Sequence, residues 1–196
     1  MSGPGKPIHP ATVHFPISFL ALSYGLDAAY FARPNLPSAL TSLLPVDSDL
    51  TRASYYLLAL GLITTVPAVV SGGQQAIALF SRQGIYEADG KTVKVKSKAV
   101  IAHAVVNDVV LALGTWIWWT KRSAAADSLA SSVAGEKLGA TLTGAAAYAP
   151  TNVQVLVGVL TLGLLFFGAS IGGSLTYLYG VGFAPGGKTK PSEKAL

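Results

Sequence analysis

Residues 9–16 read His-Pro-Ala-Thr-Val-His-Phe-Pro and lead into an apolar run that reaches Ala32. Proline suits the first turn of a helix, because the N–H that it lacks would have no intrahelical partner there. Pro10 therefore predicts that a helix begins in this stretch. The run over residues 11–32 is long enough to cross a bilayer, which takes about 20 apolar residues. His14 then lies just inside a first transmembrane helix.

Composition places the chain among membrane proteins. Of its 196 residues, 51% are hydrophobic and only 12% are charged, whereas soluble domains carry about 25% charged residues. An ordinary soluble enzyme is therefore excluded. The chain has no cysteine, which excludes disulfides, thiolate metal sites, cysteine-ligated iron–sulfur clusters and cysteine nucleophiles. The net charge of +5 lies in loops and tails, so it points to the lipid bilayer as partner and not to nucleic acid.

Three further apolar runs follow the first, and each is long enough to span a bilayer. The four predicted spans are residues 11–32, 53–81, 99–120 and 152–183. We therefore expect an all-α fold: a polytopic membrane protein with a single four-transmembrane-helix bundle over residues 1–183. Residues 184–196 are rich in Gly, Lys and Pro, and we expect them to form a disordered basic tail.

Two connections between the spans have patterns of their own. Asp89-Gly90, between short runs of β-forming residues, predicts a small hairpin over residues 85–95. Residues 123–148 are rich in Ala, Ser and Gly and show no clear periodicity. We interpret them as a loop with room for a short surface helix.

The distribution of lysine and arginine predicts the orientation. With four spans, the N-terminus, the loop between the second and third spans and the C-terminal tail share one side of the membrane. That side carries nine of the 14 lysines and arginines. By the positive-inside rule, both termini of this multi-pass protein are expected on the cytoplasmic-type side.

Two of the predicted helices carry a histidine on a face of small residues. Residues three and four positions apart share a helix face, which places His14 with Gly25, and His103 with Asn107 and Gly114. Small residues allow helices to approach closely in lipid, so both faces are expected to point into the bundle. Each histidine lies four or five residues into its helix, and the two should therefore lie at nearly the same depth.

Two imidazoles at one depth allow several interpretations. His14 and His103 could ligate one metal ion, provide both axial ligands of a b-type haem, or share a proton. They could also be two hydrogen-bonded histidines of the bundle interior. Asn107 is one turn from His103 in its own helix, and is a candidate residue of a cofactor pocket. No Glu or Cys accompanies the histidines, which argues against a hydrolytic zinc site.

Three further candidate residues lie in or beside the first and third spans: His9, Asp27 and Asp108. An ionisable group in a span is a functional candidate because its charge is costly in lipid. Asp108 lies deep in the third span, about 140° around the helix from His103. It is either functional or a neutral, hydrogen-bonded member of a helix contact. Asp27 lies close to the outer interface, where we expect a solvated carboxylate.

The fourth span contains a packing signal. Gly168 and Gly172 have the GxxxG spacing that lets one transmembrane helix approach the backbone of another. We therefore expect this face to lie against a neighbouring helix.

Several pieces of the chain resemble motifs of one family of four-helix membrane proteins, catalogued as domain of unknown function 2231. They are HPATVHFPI at residues 9–17, Asp27, the small residues 68–72, AHAVVN at residues 102–107 and GGSLTYLYGVG at residues 172–182. The resemblance implies the four-helix fold and its topology. Two positions depart from the family pattern: Ser174 replaces an acidic residue and Tyr179 replaces a histidine, which removes one candidate haem ligand.

Two classes of function remain open from the sequence. In the first, His14 and His103 bind b-type haem or a metal for electron transfer. In the second, the protein serves transport, assembly or structure, and its His and Asp residues stabilise the bundle or relay protons. The chain has no Ser-His-Asp arrangement, phosphate loop or metalloprotease helix, which argues against an enzyme. Besides lipid, the partners to be expected are a second copy or another membrane protein.

Overall fold

The computed structural model describes residues 8–134 and 145–181, without the side chains of residues 129–134 and 145–146. The predicted tail over residues 184–196 lies outside the described part. The helices are α1 (Ile8–Thr12), α2 (His14–Ala32), α3 (Ser38–Thr41), α4 (Asp47–Gln83), α5 (Val95–Ala134) and α6 (Asn152–Tyr177). Single turns of 3-10 helix lie at Arg33–Asn35 and Ala145–Tyr148.

Four helical segments are long and apolar enough to cross a membrane. They are Ile8–Asn35, Asp47–Gln83, Val95–Ser128 and Asn152–Tyr177. The all-α, four-span prediction is therefore confirmed. The surface of the bundle agrees with this assignment, because large apolar side chains such as Ile63, Leu156 and Phe167 are exposed. Side chains of this kind are in their preferred surroundings when lipid covers them.

The first span contains an interruption that its proline explains. The regular helix is interrupted at Val13, and Pro16 has no N–H to give to the carbonyl group of Thr12. The hydrogen bonds Val13 N to His9 O and Ile17 N to Val13 O carry the helix across the interruption. α1 and α2 therefore form one span, which begins three residues before the predicted start.

The structure changes two predicted connections. α5 continues to Ala134, so the first part of the predicted loop over residues 123–148 is helical. Alanine is the strongest helix former, and helix formation in an alanine-rich segment does not require an apolar face. The predicted hairpin is reduced to one antiparallel bridge between Tyr86 and Val93. Its turn contains Gly90 with φ +67°.

The long helices contact one another in chain order, and the last contacts the first: α2 with α4, α4 with α5, α5 with α6, and α6 with α2. Spans that follow one another in the chain are therefore neighbours in the bundle. The buried apolar core lies in the centre of the ring and is built from Leu20, Tyr24, Leu58, Val110, Ile117 and Leu165.

Glycines let the helices approach closely at several points. A Cβ atom at Gly61 would lie 2.6 Å from Cδ2 and 3.3 Å from the backbone nitrogen of Leu20, so α2 and α4 touch there. Gly168 and Gly172 lie against Asn107 and His103 of α5. The packing predicted from the GxxxG spacing is therefore confirmed.

Replacement of Gly61 by valine should destabilise the protein, because the new side chain would overlap Leu20 in both side chain and backbone. Overpacking of this kind costs about 1–3 kcal/mol. The matched control is Gly163→Val, since a Cβ atom at Gly163 meets no atom within 4 Å. Thermal unfolding in detergent should show a clearly lower midpoint for Gly61→Val than for Gly163→Val. Equal midpoints would contradict the close contact.

Candidate functional site

Polar side chains gather in two places inside the apolar bundle. The ion-pair cluster consists of Ser23, Asp27, Ser54 and Lys121. The histidine cluster consists of His9, Ser71, His103 and Asn107. His103 and Lys121 are 18 positions apart on α5, about 27 Å at 1.5 Å per residue. The two clusters therefore lie at opposite ends of the bundle.

The ion-pair cluster joins three helices. Lys121 of α5 donates hydrogen bonds to both carboxylate oxygens of Asp27 in α2, each over 2.7 Å. Ser54 of α4 donates to Asp27 Oδ1 over 2.6 Å, and Ser23 donates to the carbonyl oxygen of Ser54 over 2.9 Å. Lys121 is 1% exposed and Asp27 is 3% exposed. Charge and hydrogen bonds are thus satisfied among buried groups.

The prediction that Asp27 is a solvated carboxylate at the outer interface was wrong. Asp27 follows Leu20 and Tyr24 at helical spacing, and both of those side chains are core residues. The same spacing on α5 leads from Ile117 to Lys121, which lies one residue beyond the predicted third span. Opposite charges on the core faces of two spans are the signal that could have revealed the pair.

The fourth helix joins the bundle beside this cluster. Thr151 and Gln154 form a capping box at the start of α6, in which each side chain bonds to the backbone of the other. Gln154 Nε2 also donates to Thr120 Oγ1 of α5 over 2.8 Å. Because Thr120 is adjacent to Lys121, all four long helices are connected by hydrogen bonds at this end.

At the opposite end, the rings of His9 and His103 meet edge to face. Their centroids are 6.2 Å apart and their planes are 85° from each other. His9 Nδ1 lies 3.1 Å from Ser71 Oγ, and His103 Nδ1 lies 2.9 Å from the carbonyl oxygen of Gly168. Each ring is thus held by its Nδ1 atom against a different neighbouring helix.

These contacts assign the tautomers of the two imidazoles. A carbonyl oxygen only accepts, so His103 Nδ1 carries the hydrogen that it donates to Gly168. Ser71 gives its hydroxyl hydrogen to the carbonyl oxygen of Ala68 over 3.0 Å, and its oxygen then accepts from His9 Nδ1. This assignment gives both rings a hydrogen at Nδ1. No hydrogen bond to either Nε2 is formed within the described part of the chain.

Two glycines make room for the rings. A Cβ atom at Gly72 of α4 would lie 2.8 Å from Cε1 of His9, and one at Gly172 of α6 would lie 2.8 Å from Cε1 of His103. Asn107 lies against Gly168, and its side chain donates to the carbonyl oxygen of His103 over 2.7 Å. The predicted proximity of Asn107 and His103 is therefore confirmed, and a role of Asn107 in a cofactor pocket stays a prediction.

The expectation that His14 faces His103 was wrong, because His14 is exposed and His9 takes that place. The helix begins at Ile8, so His9 lies within the span. Five positions separate the two histidines, which is about 140° around a helix, and they cannot both point inward. Gly25, which was expected to share an inward face with His14, is exposed with it.

Asp108 belongs to neither cluster. Its side chain is exposed on the outer face of α5, and no hydrogen bond or ion pair reaches it from the side chains that the structure describes. Asp108 therefore forms no hydrogen-bonded helix contact among the described residues. A functional role of Asp108 stays a prediction.

The number of ligand atoms in the histidine cluster limits which metal ion or cofactor it could bind. Among the described residues no group of three or more His, Cys, Asp or Glu side chains comes together. The cluster offers two imidazole nitrogens. Most sites for a bare metal ion use at least three protein ligands, whereas a haem iron needs only two axial ligands beyond its macrocycle.

Replacement of Lys121 by methionine should strongly destabilise the protein, because Asp27 would be left as an unpaired buried carboxylate. Breaking a buried pair costs about 3–5 kcal/mol. The double variant Asp27→Leu/Lys121→Met removes both charges and should recover much of the loss. Lys98→Met, at an exposed position of α5, is the control for loss of one positive charge. Thermal unfolding of the four proteins in detergent measures the order of stability. A single variant as stable as the control would contradict the pairing.

Comparison with known proteins supports the fold. A family model described as "Predicted membrane protein (DUF2231)" matches residues 5–185. No curated protein and no solved structure matches the chain. The match extends over all four spans, and it confirms the resemblance noted in the sequence motifs. The chain therefore belongs to the family of membrane proteins catalogued as domain of unknown function 2231.

Proposed function

We propose that this integral membrane protein transfers electrons by means of a b-type haem held by Nε2 of His9 and Nε2 of His103. One observation carries the proposal: imidazoles from two different helices lie 6.2 Å apart between ring centroids, and neither Nε2 has a hydrogen bond within the described residues. The proposal replaces His14, the ligand expected from the sequence, by His9.

The hydrogen bonds at Nδ1 support a ligand role. A metal-bound histidine almost always donates its second ring N–H to a carbonyl, carboxylate or other acceptor, which holds the ring and increases the basicity of the ligating nitrogen. His103 donates to the carbonyl oxygen of Gly168, and His9 donates to Ser71. Each ring therefore has the partner that a ligand histidine requires.

The number of imidazoles favours haem over a bare ion and electron transfer over substrate chemistry. A haem bound by both His9 and His103 would supply one-electron transfer, and it would leave no position on the iron for a substrate. The glycines at positions 72 and 172 admit the rings, and any larger side chain there would displace them.

The location of the cluster also suits exchange with a partner. His9 lies in the first helical turns of the chain and His103 lies in the first third of α5, so the pair is close to one end of the bundle. Both rings are partly exposed. A redox partner at that membrane surface could approach the pair closely.

Substitution of either inward histidine should remove haem, whereas substitution of the exposed one should not. His9→Asn and His103→Asn keep an amide that can donate to Ser71 or Gly168 but remove the ligand nitrogen. His14→Asn is the matched control on the same span. The measurement is the reduced-minus-oxidised absorbance spectrum of protein purified from haem-replete cells, with metal analysis of the same samples. We expect a Soret band in the native protein and in His14→Asn, and its loss in the other two variants.

Two results would overturn the haem proposal. The first is a native preparation without colour and without metal. The histidines would then be helix contacts or part of a proton path. The second is a stoichiometric metal ion without a Soret band, which would assign the cluster to a bare ion. Thermal unfolding of each variant separates loss of the ligand from loss of the fold.

We also expect the histidine cluster on the cytoplasmic-type side, because the N-terminal span begins there and the lysine and arginine bias places the N-terminus inside. The chain has no cysteine, so single cysteines can report topology. Lys94→Cys lies in the connection before α5, and Leu43→Cys lies in the connection before α4, where the native side chain is 79% exposed. A membrane-impermeant thiol reagent should label Leu43→Cys in intact cells and Lys94→Cys only after lysis. The reverse pattern would invert the orientation.

A further inference from the structure

Asp108 lies at the depth where lipid is most apolar. It is ten positions beyond Lys98 on α5, about 15 Å along the helix axis. The apolar run of the third span begins directly after Lys98, and 15 Å is half the thickness of a hydrocarbon core of about 30 Å. The carboxyl group is thus close to the middle of the membrane.

The surroundings of Asp108 are an unpartnered strip on the outside of the bundle. One turn before it and one turn after it lie Ala104 and Ala112, and all three are exposed. Val105 and Val109 beside them are 55% and 42% exposed. Together these residues form the Asp108 face.

A carboxyl group cannot remain alone on this face. Acyl chains offer no hydrogen bonds, and an ionised carboxylate at the bilayer centre is costly. Within the described residues nothing from the same chain bonds to Asp108. A group from another molecule that can both donate and accept hydrogen bonds would resolve the conflict.

Charge and symmetry indicate which molecule that is. The central parts of the four spans contain no lysine or arginine, so a second copy could not offer Asp108 a cation at this depth. Two copies inserted in the same orientation do, however, place Asp108 at equal depth, and a twofold axis along the membrane normal brings identical residues together. A protonated carboxyl group carries one donor as well as acceptors, so a pair sharing one or two protons satisfies itself.

We propose that the Asp108 face is a homodimer interface, in which the α5 helices of two copies cross at Asp108 and their carboxyl groups hydrogen-bond to each other. Alanine at positions 104 and 112 suits such a crossing, because small residues one turn on either side allow two helices to approach closely. The occupant of the face is a second copy of this chain.

Cysteine cross-linking in native membranes tests the interface. Ala104→Cys and Ala112→Cys should each give a disulfide-linked dimer after mild oxidation. Leu160→Cys on α6 is the control, since Leu160 is 60% exposed but lies on another face of the bundle. The full-length chain contributes no competing thiol. We expect at least a tenfold higher dimer yield from the α5 positions than from position 160.

Substitution of Asp108 distinguishes the contribution of the carboxyl pair to the dimer from the contribution of helix packing. In the Ala112→Cys background, Asp108→Asn keeps a donor and an acceptor and should retain the cross-link. Asp108→Leu removes both and should lower the yield several-fold. Unaltered cross-linking in Asp108→Leu would overturn the role of the carboxyl group. A monomeric mass in nanodiscs with no cross-link, or a cross-link to a different protein, would overturn the homodimer.

Discussion

The ion pair between Lys121 and Asp27 sets the register of the bundle. A charged group in a low-dielectric interior is tolerated only with a partner and with its hydrogen bonds satisfied, so Asp27, Ser54 and Lys121 have to lie at one depth. Their three helices therefore cannot slide past one another by a turn without separating the charges. The neighbouring bond from Gln154 to Thr120 extends the same constraint to α6.

Packing holds the helices together in the remainder of the structure, where lipid removes the usual advantage of burying apolar groups. Close approach of backbones supplies dispersion energy instead. Gly61 under Leu20 and Gly168 under Asn107 are such contacts. At Gly72 and Gly172 the space left by a missing side chain is filled by an imidazole ring. The packing that stabilises the bundle thus also positions the histidines.

The two polar clusters differ in whether their polar atoms are left without a hydrogen-bond partner. In the ion-pair cluster the ammonium, carboxylate and serine groups satisfy one another and are almost fully buried. In the histidine cluster each Nδ1 is engaged in a hydrogen bond, and neither Nε2 is hydrogen-bonded within the described residues. An apolar core that includes Leu20, Leu58 and Leu165 separates them. This division suits one end that stabilises the bundle and another end where chemistry can take place.

The amino-acid sequence by itself determined the all-α class, the four spans and the inward face of α5 with His103 and Asn107, because apolar run length and helical spacing are local properties. It also indicated the close contact at Gly168 and Gly172. The inward face of the first span could not be predicted in the same way, since the rotation of a helix depends on its starting residue and on the neighbours it packs against. Only the tertiary structure decided for His9 over His14. It alone also placed Lys121 inside the bundle, because the cost of burying that charge depends on Asp27, which lies 94 positions away in the chain.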